Sequence, residues 1–164
     1  MKLIAPAALL TSLCFSVLAN DNLQTFQLEN VFDLEYANQI EMTNDGKTVY
    51  FVRNRMDIKS DSKVSNIWSV DSSSKQLQPL TSGVHMDYSP VLSPDQSRLA
   101  FISTRDGSSQ IYVKWLKTGA VAKISNLTQS PSSLQWSPNG RQLLFSQFVP
   151  SKVSSPINLP GKPE

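Results

Sequence analysis

His85, in the run SGVHMDYSP, is the one imidazole in the chain and the first place to look for acid-base or nucleophile-activating chemistry. A Ser-His-Asp arrangement needs a serine exposed on a sharp strand-to-helix turn of G-x-S-x-G type, and the sequence contains no such pentad. A loop or packing role is therefore expected for His85. Asp45, Asp95 and Asn139 could offer oxygen ligands to a cation, but they recur at one place in a turn and no second ligand follows at suitable spacing. They are expected to form turns. Trp68, Trp115 and Trp136 fall at strand positions that read as core-facing or interblade rather than as a stacking platform, and Arg53 and Arg55 with Asp57 and Asp61 read as a solvated mixed-sign loop. Asn126-Leu127-Thr128 is a glycosylation sequon, relevant only to a eukaryotic secretory source. No catalytic, cofactor-binding or metal-ligating residue is assigned, and no cofactor is expected.

The bulk properties agree with this scarcity of chemistry. The 164 residues carry 15 Lys+Arg against 13 Asp+Glu, a balance of +2 that gives no basic footprint for nucleic acid or an anionic membrane. Lys2, an apolar run over residues 3–18 and Val17-Leu18-Ala19 ahead of Asn20 read as a secretory signal cleaved after Ala19, for a periplasmic or secreted destination. The run is short for a membrane span, which needs roughly 20 residues. Leu13 fits poorly as the residue before a lipid-modified Cys14. Cleavage would remove Cys14, the only thiol, so the exported 145 residues would have no disulfide and would rely on packing.

What must position any functional group is a repeat. TNDGKTVYF from Thr43, SPDQSRLAF from Ser93 and SPNGRQLLF from Ser137 align without gaps, each joining a polar turn to an apolar strand. Pro94 and Pro138 preset φ at the second place, and Asp45, Asp95 and Asn139 can bond the local backbone at the third. Gly46 and Gly140 mark a fourth place expected to need positive φ, where Gln96 stands at a cost of order 1 kcal/mol. Downstream offsets repeat as well. Ile67 to Leu80 and Ile111 to Ile124 are both 13, and Thr81 to Ser93 and Ser125 to Ser137 are both 12. The unit is 44 residues, lengthened to 50 in the first copy by six residues within 54–65, expected as an extended inter-strand loop.

Each unit reads as four short strands: 39–43, 48–53, 66–70 and 76–80 in the first, and 90–93, 98–103, 110–115 and 121–125 in the second. The third gives 133–137 and 142–148. Four strands per unit of roughly 40–45 residues is the signature of a β-propeller blade. The expected class is all-β, an incomplete propeller of about two and a half blades. Its organisation is signal 1–19, lead-in 20–38, blades 39–80, 90–125 and 133–148, and a Pro-rich segment 149–164. LAFIS and LLFSQF, apolar on successive residues, fit sheets packed on both faces.

The blocks RNRMDI (53–58), SNIWSVD (65–71), SPVLSPDQSRLAFIS (89–103), DGSSQIYVKWLKTG (106–119), LQWSPNGRQLLFS (134–146) and LPGKPE (159–164) resemble secreted, acylaminoacyl-peptidase-like members of the prolyl oligopeptidase family of serine peptidases. The resemblance implies an N-terminal propeller that filters peptides on their way to a downstream α/β-hydrolase domain, which holds the serine, aspartate and histidine. None of those residues has a counterpart here, so the chain is expected to be inactive alone, with peptide substrates reached through the parent enzyme. The alternative is a TolB-like propeller acting as a non-catalytic periplasmic binding or scaffold module. An open ring of this size should expose apolar strand faces and unpaired edges.

Overall fold

The computed structural model describes residues 25–151 of the chain. The signal with Cys14, and residues 152–164 of the Pro-rich segment, lie outside the described residues. After a 3-10 helix at Leu28–Asp33 the described chain is built of antiparallel sheet. β1 (Glu35–Met42), β2 (Thr48–Asp57), β3 (Ser62–Asp71) and β4 (Leu77–Pro79) form the first blade in sequence order. β5 (Asp87–Leu92), β6 (Arg98–Ser103), β7 (Gln110–Trp115) and β8 (Val121–Lys123) form the second. β9 (Pro131–Trp136) pairs with β10 (Leu143–Gln147) as the start of a third. The expected β-propeller architecture is thus present, without a closed barrel.

The repeated turn has one hydrogen-bond pattern in all three copies. Thr43, Ser93 and Ser137 donate their hydroxyls to Asp45, Asp95 and Asn139 at 2.7, 2.6 and 2.8 Å, and those hydroxyls accept from the amides of Thr48, Arg98 and Gln142 at 3.0 Å. The Asp or Asn oxygen also accepts from the amide two residues on, Lys47, Ser97 or Arg141. Gly46, Gln96 and Gly140 stand at φ +69°, +58° and +66°. Gln96 keeps the left-handed turn without glycine because its Oε1 accepts from the Asn44 amide of the first blade at 3.0 Å, a bond that offsets much of the strain.

Hydrogen bonds from Ser93, then Ser97, hold the Asp95 carboxyl down to about 2. Since that value lies below the ordinary one, the turn's contribution is present above the usual carboxylate range and lost as pH falls toward 2. Asn139 does the same work uncharged. Asp95→Asn is therefore expected to leave the neutral-pH fold intact and to flatten the fall of melting temperature between pH 4 and about 2, read by circular dichroism. An unchanged acid profile in the variant would count against this.

Three features differ from expectation. The stretch 54–65 is not a loop: β2 and β3 continue to Asp57 and from Ser62, in unbroken register from Thr48↔Asp71 to Asp57↔Ser62. Its base is buried at Asn54, Val64 and Ser65, its exposed tip over residues 58–63 is mostly polar, and Asp57 closes the tip by accepting from the Ser60 amide and hydroxyl. β1 begins at Glu35, inside the expected lead-in, and pairs there with the hairpin extension at Arg55. The innermost strands each carry a bulge, at Gln39, Ser89 and Ser133, all with φ between 52° and 54°.

The blades pack through two cores. Tyr50, Val52 and Ile67 of the first meet Leu99, Phe101 and Tyr112 of the second. Ala100, Ile102, Ile111 and Val113 of the second meet Leu134, with Trp136, Leu143 and Phe145 at its border. Alternate residues of LAFIS thus serve opposite neighbours, as expected of a sheet covered on both faces. LLFSQF differs, because Leu144 and Phe148 are exposed and only one face of β10 is covered among the described residues. On the first blade Tyr36, Ile40, Met42 and Leu77 are likewise exposed.

Candidate functional site

His85 lies in the link between β4 and β5, where its ring packs over Gly83 so closely that a Cβ there would sit 2.4 Å from Cε1. Its Nε2 is 3.3 Å from an oxygen of Asp87, the fully buried first residue of β5. Arg105 reaches the same carboxylate at 3.2 and 3.4 Å, donates from Nε to Ser103, and lies over the rings of Phe101 and Tyr112. Tyr112 in turn donates to Asp106 at 2.7 Å. Desolvation first, and Asp106 second, push its hydroxyl up to about 12. Among the described residues no serine hydroxyl bonds His85. The cluster pins the blade link to the second blade.

The other residues singled out by type also take structural roles. Asp45, Asp95 and Asn139 are turn formers, and no cluster of metal-ligating side chains occurs among the described residues. Arg55 pairs with Asp57 at 3.3 Å, but Arg53 pairs with Glu35 and lies over Trp68, and Asp61 sits in the hairpin tip at φ 44°. Trp136 is interblade as expected: its Nε1 donates to the Val91 carbonyl at 3.0 Å and Arg98 covers its ring. Trp115 is instead 39% exposed at the end of β7, and Trp68 lies on the uncovered face of the first blade. Asn126 and Thr128 are exposed in the link after β8.

Concave surface occurs in two settings. A depression of about 720 Å³ on β9–β10, lined by Trp136, Pro138 and Leu144, and one of about 330 Å³ on the first blade, lined by Tyr36, Phe51, Arg53 and Trp68, are sheet faces without a neighbouring blade. A third, of about 260 Å³, lies between two blades that are both present. Its walls come from β1 (Asn38, Gln39), the base of the long hairpin (Asn54, Lys63, Ser65) and the start of the second blade (Met86, Tyr88). Asn54, nearly fully buried, donates to the carbonyls of Tyr36 and Val52 and to Asn38 Oδ1. The Ser89 amide, freed by the β5 bulge, donates to Gln39 Oε1 at 2.7 Å. The six-residue insertion seen in the sequence builds one side of this groove. Its role was not legible there because a hairpin and a loop of that composition look alike.

Among the described residues no helix is long and apolar enough to cross a membrane. Residues 16–154 match the family described as the TolB beta propeller domain. The chain is 33% identical over 118 residues to the uncharacterized peptidase YuxL of Bacillus subtilis, covering 71% of this chain and 17% of YuxL. It is 30% identical over 119 residues to the Tol-Pal system protein TolB of Ruthia magnifica, covering 70% and 24%. The acylaminoacyl peptidase of Pyrococcus horikoshii superposes with a TM-score of 0.64 at 20% identity, over 82% of this chain and 21% of that one. The chain thus spans about a quarter or less of each of these proteins. With the repeated turns, the four-stranded blades and this match together, the chain belongs to the TolB beta propeller domain family.

Proposed function

We propose that this chain is the N-terminal part of the propeller of an exported peptidase of the prolyl oligopeptidase type, similar to acylaminoacyl peptidases. In this reading the propeller selects peptides for an α/β-hydrolase domain elsewhere in the protein and performs no bond cleavage itself. The observation that carries it is the 33% identity to a peptidase, together with the resemblance of RNRMDI and LPGKPE to that family. A signal cleaved after Ala19 would deliver the protein to the periplasm or outside the cell.

The test compares the full-length gene product with residues 20–164. The full-length protein is expected to hydrolyse N-acyl peptides and to label with a fluorophosphonate probe, and the 20–164 chain to do neither. Labelling of the short chain would overturn the non-catalytic role. A reading frame that continues into blades with no G-x-S-x-G would favour the second reading, a TolB-type periplasmic binding module, which the 30% identity to TolB supports.

A further inference from the structure

We propose that the groove between the first two blades binds a peptide through a carboxylate. The proposal rests on reading the propeller as the peptide-selecting part of a peptidase and names the chemical group selected. Four observations lead to it. The groove lies in an interface whose core is closed by apolar contacts, and it opens where the β2–β3 hairpin outgrows its counterpart in the second blade. None of the side chains lining it is acidic. Lys63 brings an ammonium group that takes part in no ion pair among the described residues and rests near the Tyr36 ring at 5.7 Å.

The fourth observation concerns the amides. Asn38 and Gln39 have their carbonyl oxygens engaged, by Asn54 Nδ2 at 3.0 Å and by the Ser89 amide at 2.7 Å. That fixes each amide in one orientation and leaves its NH2 group as the uncommitted end. The groove therefore offers two oriented donors and a cation, which suits an acceptor group of negative charge. Val52 and Met86 add an apolar surface beside them. A volume of about 260 Å³ is below the usual range for a whole small-molecule site and accommodates about one residue, so the ligand enters by an end or a side chain.

The experiment uses the full-length protein with its serine nucleophile blocked, so that binding is read apart from hydrolysis. Fluorescence anisotropy would compare an N-acetyl tripeptide of apolar residues as the free acid, the same peptide as the C-terminal amide, and an amidated peptide carrying one glutamate. The free acid is expected to bind about tenfold tighter than the amide, the worth of one charge-assisted hydrogen bond, and Lys63→Met to remove that advantage. Lys59→Met, at the exposed hairpin tip, should keep it. Tight binding of the glutamate peptide would assign the carboxylate to a side chain rather than a terminus. Equal affinity for acid and amide with no glutamate preference, or a free-acid preference that survives Lys63→Met, would overturn the proposal. If the protein fails to hydrolyse peptides yet shows the Lys63-dependent preference, the groove stands and the peptidase reading falls.

Discussion

Phe101→Ala is expected to lower the unfolding free energy by about 4 kcal/mol, the middle of the range for deleting a fully buried aromatic ring. Phe101 is wholly inaccessible in β6, and its ring stacks on Tyr112 at 5.8 Å between centroids. It meets Tyr50, Val52 and Ile67 across the first interblade core and supports the Arg105 guanidinium from one side. The cavity cannot close easily, because the residues around it belong to two sheets whose separation is set by Leu99 and Tyr112 as well. A loss of this size is a large fraction of the stability of an ordinary domain, about 5–15 kcal/mol. Urea unfolding followed by tryptophan fluorescence would read it as a lower midpoint. Phe148→Ala, at a site 73% exposed on the uncovered side of the third sheet, should shift the midpoint little. Equal shifts from the two variants would mean that the interblade core does not hold the described blades together.

The contrast between those two phenylalanines marks how much of the molecule could be read from residue order. The turns could, because Pro at the second place, Asp or Asn at the third and Gly at the fourth favour one backbone conformation, and all three copies adopt it although Asn44 and Gln96 depart from that pattern. Strand positions followed from the apolar runs attached to those turns. The bulges of the inner strands could not be read, since Gln39, Ser89 and Ser133 hold positive φ with no glycine to signal it. Gln39 and Gln96 are held in place by bonds to the neighbouring blade, to the amides of Ser89 and Asn44, and such partners lie about 50 residues away in sequence. The same distance hid the groove, whose two walls come from different repeats. Phe148 and Leu144 show the complementary limit: an apolar pattern specifies that a face can be covered, while burial depends on what stands next to it.

Asp87→Ala is expected to cost about 3 kcal/mol, the low end for breaking a buried ion pair. The carboxylate is fully buried, accepts from the Arg105 guanidinium and stands 3.3 Å from His85 Nε2. Its loss leaves a guanidinium held over Phe101 and Tyr112 without its paired carboxylate. Arg105 is 26% exposed and can recover some water, which is why the low end applies. Replacing both partners, Asp87→Leu with Arg105→Met, should recover much of the loss, since neither charge is then stranded. A single-variant loss under about 1 kcal/mol with no coupling in the double-mutant cycle would show the pair to be energetically idle. The first blade carries a comparable group, Arg53 over Trp68 and paired with Glu35, but there the two side chains are 38% and 42% exposed. Exposure should reduce Glu35→Ala to below about 1 kcal/mol in the 20–164 chain. The same substitution in the full-length protein then becomes a test of what lies against the first blade. A cost rising toward that of Asp87→Ala would mean that another blade covers Arg53 there as the first blade covers Arg105, while an unchanged small cost would mean that the face stays open to water.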